Sequence, residues 1–161
     1  MRKPSMKVLA VSFIGVLAVL LSLLPTPSGA ESTGLVSMKS AFSVDETTKR
    51  LESLLKERNL TLVTTVDHSA GAKSVGLVLR PTRLLIFGNP RSGTPLMQCG
   101  QSVAIDLPMK VLIWEDEAGQ AWAGYNSLSY LKTRHNLQGC DPELEKNGQA
   151  LQTLVEAATQ P

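Results

Sequence analysis

The sequence predicts an α+β domain, a small mixed four-stranded sheet packed against several helices in one compact unit over residues 42–160. Three observations predict it. Four short runs have strand chemistry: the β-branched TLVTTVD at Thr61–Asp67, the LLIF of Thr82–Phe87 that is apolar on both faces, and two runs flanking Asp116-Glu-Ala-Gly119. Apolar residues recur at helical spacing at both ends of this region. Helical segments also separate most of the strands, and only one pair is joined by a hairpin signal, so parallel and antiparallel pairing are both expected.

The elements follow in chain order. Ser43 with Glu46 three residues later is a capping box, and Val44, Leu51, Leu54 and Leu55 then form one apolar stripe, so an amphipathic helix is expected to end near Asn59. After the Thr61–Asp67 strand, a short helical turn over Ser69–Val75 is closed by Gly76. Pro81 introduces the strand Thr82–Phe87, which Gly88-Asn89-Pro90 interrupts. Thr94-Pro95 has the order of an N-cap followed by proline in the first turn, which places a helix from Pro95 to about Ile105, ending before Leu107-Pro108. Val111–Glu115 and Gln120–Tyr125 flank the hairpin turn. Ser127 caps a short helix through His135, and Asp141-Pro142 opens the last helix, with Leu144, Leu151, Leu154 and Val155 on its apolar side.

Residues 1–30 read differently. Arg2, Lys3 and Lys7 precede a 17-residue uncharged run, Val8–Leu24, and Pro25-Thr-Pro-Ser-Gly-Ala30 ends in small residues. This is the order of a secretory signal peptide cleaved after Ala30. The run is also at the lower edge of a membrane span, so an uncleaved N-terminal anchor is the alternative, and it would be the chain's only membrane contact. Residues 31–41, small and polar, are expected to be a flexible leader. An exported, periplasmic or secreted location follows from the signal peptide.

Without those three basic residues, the remaining 131 residues carry 13 basic and 14 acidic side chains, interspersed, for a formal charge of −1. No cationic stripe is left to attract nucleic acid or an anionic membrane, and nucleic-acid binding is rejected on that ground. The two cysteines, Cys99 and Cys140, both lie in the exported part. In an oxidising compartment such a pair forms a disulfide more often than a metal or catalytic site, the alternative being two separate buried thiols.

Several patterns carry candidate chemistry. Gly88 and Gly93 have the glycine spacing of a P-loop, but Thr94 and Pro95 stand where lysine and a magnesium-binding hydroxyl are required. A weaker anion-binding reading remains, with backbone N–H groups at a helix start and Arg91 nearby, against a plain strand-to-helix turn. His68, His135, Met97, Met109 and Cys99 are the soft ligands for copper or another transition metal, without metal-ligand spacing. Ser69 beside His68 has no nucleophile elbow, and a hydrolase therefore ranks last. Glu115-Asp116-Glu117 falls on a hairpin tip, where acids are solvated. Trp114 and Trp122 are expected to pair across the hairpin and face a core, a partner or a ligand.

FGNPRSGTPLMQ (Phe87–Gln98), DLPMKVLIWEDEAGQAWAGYN (Asp106–Asn126) and YLKTRHNL (Tyr130–Leu137), with DHSAGAKSVGLVLRPTRLLIFGNP (Asp67–Pro90) before them, together resemble the domain of unknown function 302 family. The resemblance implies a compact α+β fold that forms homodimers, and no established activity. It marks His68, Gly88, Asn89, Pro90, Gly93, Thr94, Tyr125, Asn126, Arg134 and His135 as motif positions. It also implies that Cys99 and Cys140 are paired as in exported members, tying the third helix to the C-terminal region. The candidate ligand-binding set is therefore His68, Gly88, Asn89, Arg91, Gly93, Thr94, Tyr125, Arg134 and His135, with no catalytic residue and no cofactor identified. The expected function is a non-enzymatic, exported, homodimeric binding or interaction module, with a small anion as the candidate ligand. A periplasmic metal-handling or redox protein using the histidines, methionine and cysteines is the alternative.

Overall fold

The computed structural model describes residues 34–161. The expected signal peptide, residues 1–30, lies outside the described residues. Five strands form one sheet: β1 (Leu35–Lys39), β2 (Thr61–Asp67), β3 (Thr82–Gly88), β4 (Met109–Glu115) and β5 (Ala121–Asn126), in the order β1-β5-β4-β3-β2. Every pairing is antiparallel. Five helices accompany it: α1 (Val44–Glu57), α2 (His68–Ser74), α3 (Pro90–Cys99), α4 (Leu128–His135) and α5 (Asp141–Thr159), with a 3-10 turn at Gln101–Ile105.

The α+β class stands, and three details of the expectation are corrected. First, the sheet has five strands, because part of the expected leader is β1. Val36 and Met38 alternate with Leu35, Ser37 and Lys39, and the period of two puts both on the core side while the chain pairs with β5 from Leu35↔Asn126 to Lys39↔Trp122. Second, the sheet is not mixed. A parallel return needs a helix laid along the sheet, but α2 is only seven residues long and buries none of them, so β3 comes back antiparallel on β2. Third, the helix after the Gly-rich loop starts five residues early. Asn89 caps α3 by accepting a hydrogen bond from Arg91 N–H at 2.9 Å, and Pro90 takes the first helical position. Pro95 is then inside the helix. The helix stops at Cys99 because Gly100 turns extended, and a Cβ there would meet Leu137 Cδ2 at 2.6 Å.

One face of the sheet carries Leu85, Phe87, Val111, Ile113, Ala121, Ala123 and Tyr125, all buried against Leu51 and Leu55 of α1 and Leu151, Leu154 and Val155 of α5. Arg50 of α1 locks the end of α5. It donates to the carbonyls of Ala157, Ala158 and Gln160 at 3.1, 3.2 and 2.6 Å, the groups that a helix C-terminus leaves without partners. Ser43 accepts from Glu46 N–H and Ser127 from Tyr130 N–H, as the sequence predicts for α1 and α4.

An ionic joint fixes α1 to the β2–β3 end of the sheet. Arg83 reaches Asp45 at 2.5 Å and Asp67 at 3.2 Å. Asp67 also accepts from the Ser69 hydroxyl at 2.5 Å and from Ala70 N–H at 2.8 Å, and these bonds, with Arg83, lower its pKa to about 2. A carboxyl depressed in the fold contributes stability above its unfolded pKa of about 3.9 and loses it as pH falls through its folded pKa. We therefore expect Asp67→Asn, which keeps an acceptor for Ala70, to flatten the fall in melting temperature between about pH 4 and pH 2. Differential scanning calorimetry across that window checks this, and an unchanged acid limb contradicts it.

Candidate functional site

The nine candidate ligand-binding residues do not form one site. Gly88, Asn89, Gly93 and Thr94 line a cleft of about 430 Å³ between the start of β2, the end of β3, α3 and the Leu107–Met109 segment. Thr61, Val63, Met97, Leu107, Met109 and Asn147 are among its other walls, and no charged side chain is among its lining residues. Arg91 is exposed and does not line it.

The backbone explains why this loop is a poor phosphate cradle. The N–H groups of Ser92 and Gly93 both donate to Asn89 O, at 3.0 and 3.1 Å, while Arg91 N–H goes to the Asn89 side chain. Pro90 has no N–H. The first four amides of α3 are thus spent or missing, and the P-loop-like glycine spacing serves a capped strand-to-helix turn. What the cleft offers is apolar surface with hydroxyl and amide groups at its edge.

His68 and Tyr125 lie at a second cavity, of about 220 Å³, where two strands part. β4 and β5 pair from Glu115↔Ala121 to Leu112↔Gly124, after which Tyr125 and Asn126 continue on β1 and Met109–Val111 on β3. The fork so formed is lined by Leu84, Leu112 and Gly124, with Leu131 and Leu151 beneath and Asp106, Lys110 and Asn126 around it. Tyr125 is buried, and loss of hydration raises the pKa of its phenol, with the negative charge of Glu156 adding to the effect.

Arg134 and His135 reach that region through Asp106, a residue the sequence reading did not single out. His135 Nε2 is 2.6 Å and Arg134 Nε 3.2 Å from the same Asp106 oxygen, and Ser102 Oγ is 3.1 Å from His135 Nδ1. Arg134 also donates to Tyr130 Oη at 2.8 Å, and that bond is the main cause of its raised pKa. Asp106 opens the DLP motif, so its position was visible. Its role was not, because the residue it serves is 29 positions away.

Other candidates have structural duties. Ser69 bonds to Asp67 and not to His68. Asp116 organises the hairpin by accepting from Trp122 Nε1 at 2.7 Å and from the amides of Ala118 and Gln120, and the Trp122 bond leads in lowering its pKa. Cys99 and Cys140 are joined as a disulfide with Cα atoms 6.3 Å apart, which removes both from metal binding. Among the described residues no group of three or more His, Cys, Asp or Glu side chains could hold a metal ion.

Among the described residues no helix packs over the Trp114–Trp122 side of the sheet, opposite α1 and α5. Trp114 and Trp122 stack there with ring centroids 6.2 Å apart and planes 15° apart, and a Cβ on Gly124 would lie 3.1 Å from the Trp114 ring. Leu84, Ile86 and Leu112 beside them are half-buried and Val66 is exposed. At one end of this face the segment after α2 presents Val75, Leu77, Val78 and Leu79 to solvent, Val78 completely.

A sequence profile for the domain of unknown function DUF302 matches residues 36–158, nearly the whole described chain. The chain belongs to the DUF302 family. A solved relative, an uncharacterised conserved DUF302 protein from Bacillus stearothermophilus, superposes with a TM-score of 0.64 over 79% of this chain and 96% of its own, at 20% identity, and so supports the fold. Two curated relatives, both named fluoride-specific ion channel FluC 1, from Brucella suis and Brucella abortus, are 43% identical over 113 residues. That stretch is 70% of this chain but only 44% and 42% of theirs, so the DUF302 chain spans less than half the length of the proteins that carry the channel name. Among the described residues no helix is long and apolar enough to cross a membrane.

Proposed function

We propose that this DUF302 protein is an exported binding module that works as a homodimer and holds a small neutral, largely apolar molecule in the Gly88–Thr94 cleft. The cleft carries the reading: its volume of about 430 Å³ is in the ordinary range for small-molecule sites, and it is apolar without a lining charge. A charged ligand would leave water there without a partner, at a cost of several kcal/mol. The anionic ligand considered from the loop's glycines is therefore not the one favoured. In the Brucella relatives the matching segment is part of a longer chain, which supports a self-contained module that combines with other segments. The disulfide supports export, since such bonds persist in oxidising compartments.

A second copy of this chain is the occupant assigned to the uncovered sheet face. Five strands about 4.8 Å apart and five to seven residues long make a face on the order of 400 Å² in projection. With the apolar segment Val75–Leu79 beside it, this approaches the roughly 800 Å² of accessible surface per partner that a stable dimer buries. An isologous pairing also places two stacked tryptophan pairs at one interface, where aromatic anchors dominate affinity.

Gly93→Leu tests the cleft. A Cβ at Gly93 has only Leu107 Cδ1 within 4 Å, at 3.8 Å, so the new side chain fits the backbone and fills the cleft. We expect the neutral fluorophore N-phenyl-1-naphthylamine to bind the native protein and to lose at least tenfold in affinity with Gly93→Leu. Equal binding by both proteins, or none by the native one, contradicts the reading.

A further inference from the structure

We propose that Ser102 is a nucleophile activated by His135 and that it transfers acyl groups from small carboxylic esters to water. This chemistry lies outside the binding reading and does not depend on it. Three side chains carry it, in a row: Ser102 Oγ 3.1 Å from His135 Nδ1, and His135 Nε2 2.6 Å from Asp106 Oδ2. A nucleophile within hydrogen-bond reach of a base, with the base held by a third group, is the arrangement on which nucleophilic catalysis rests.

The roles follow from hydrogen bookkeeping. The Asp106 carboxylate only accepts, so Nε2 of His135 carries the ring hydrogen and Nδ1 is bare, facing the Ser102 hydroxyl. The nitrogens are exchanged relative to the commoner triad, in which Nε2 faces the serine. Proton transfer requires only that the bare nitrogen be within reach.

Exposure separates the three as the chemistry requires. The His135 side chain is 6% exposed and that of Asp106 18%, whereas Ser102 is exposed on the surface of the 3-10 turn. Base and orienting group are shielded and the nucleophile is open. The geometry is also held at both ends of the turn. The Cys99–Cys140 bond anchors the residues before it, and Asp106 after it is fixed to the last turn of α4 by Arg134 Nε at 3.2 Å. Ser69, next to His68 in the chain, bonds to Asp67 and has no histidine as its base.

In the first step Ser102 Oγ attacks the ester carbonyl carbon and its proton passes to Nδ1. The ester C–O bond breaks, and the leaving alkoxide takes that proton and departs as the alcohol. Water then attacks the acyl-serine, giving a proton to Nδ1, and the proton returns to Oγ as the carboxylic acid leaves. Ester and water are consumed, acid and alcohol formed, and no other reactant is needed. Ser102 and His135 are the catalytic residues, while Asp106 and Arg134 position His135.

The test is p-nitrophenyl acetate hydrolysis by the full chain, with intact-mass and peptide mapping of the acetyl-enzyme. General-base assistance contributes roughly 10²–10⁴-fold, so Ser102→Ala, a surface change that leaves the fold intact, is expected to lower the rate by at least a hundredfold and abolish the acetyl adduct. His135→Gln should do the same. For Asp106 the readout is rescue: Asp106→Glu should recover rate and Asp106→Asn should not, both with native near-UV circular dichroism. The proposal is overturned if Ser102→Ala keeps the native rate or if the acetyl group maps to another residue. Unreduced labelling of Ser102 by a fluorophosphonate in folded His135→Gln also overturns it.

Discussion

Replacing Cys99 and Cys140 together with alanine is expected to lower the free energy of unfolding by about 4 kcal/mol. The bond closes a separation of 41 residues that contains the 3-10 turn, β4, β5 and α4. Cutting it frees the unfolded chain to explore many more conformations, and loop entropy for that length gives the stated value. Domains of this size are stable by about 5–15 kcal/mol in all, so the loss is a large share. Urea unfolding of the double variant and of the reduced native protein checks it. Both should show the same lowered midpoint, and a change below about 1 kcal/mol would contradict the assignment.

Leu112→Lys is expected to convert the proposed homodimer into a folded monomer. Leu112 is on the central strand β4, in the row Leu84–Leu112–Gly124 across the uncovered face. A lysine stem can lie along the sheet with its ammonium in water, so the single chain tolerates the change. In a two-fold dimer the same ammonium is buried in an interface that also buries its copy. Such like-charge placement costs several kcal/mol, which at about 4 kcal/mol is roughly a thousandfold weaker association. Sedimentation velocity reads the outcome. A dimer that survives Leu112→Lys would place the interface elsewhere.

The parts of the fold that the sequence predicted correctly are those set by local chemistry. Ser43 and Ser127 as caps, the hairpin around Asp116–Gly119 and the strand LLIF each depend on residues within a few positions of one another. The misreadings have separate causes. β1 has only two inward apolar side chains and gains its identity from pairing with β5, nearly ninety residues later. The sequence predicts the start of α3 at Thr94-Pro95, with Gly88-Asn89-Pro90 only ending the strand, whereas Asn89 caps the helix directly after β3. Strand direction was decided by how little of α2 the sheet covers, which periodicity does not encode.

The candidate site was legible in its residue types and not in its grouping. Motif positions identified His68, Asn89, Tyr125, Arg134 and His135, but the fold puts Asn89 in the cleft, His68 and Tyr125 at the fork, and Arg134 and His135 on Asp106 beside it. Asp106 and Ser102 join His135 only because the 3-10 turn packs against the end of α4. Arg91 was chosen for its charge beside a Gly-rich loop, and the capped turn directs it to solvent.

The central claim, a homodimer with a neutral molecule in each cleft, is tested most directly by native mass spectrometry of the full chain purified from its native cells. The account predicts a dimer carrying added mass, lost on denaturation and absent from Gly93→Leu. A monomer at tens of micromolar, with no added mass in the native protein, would contradict it.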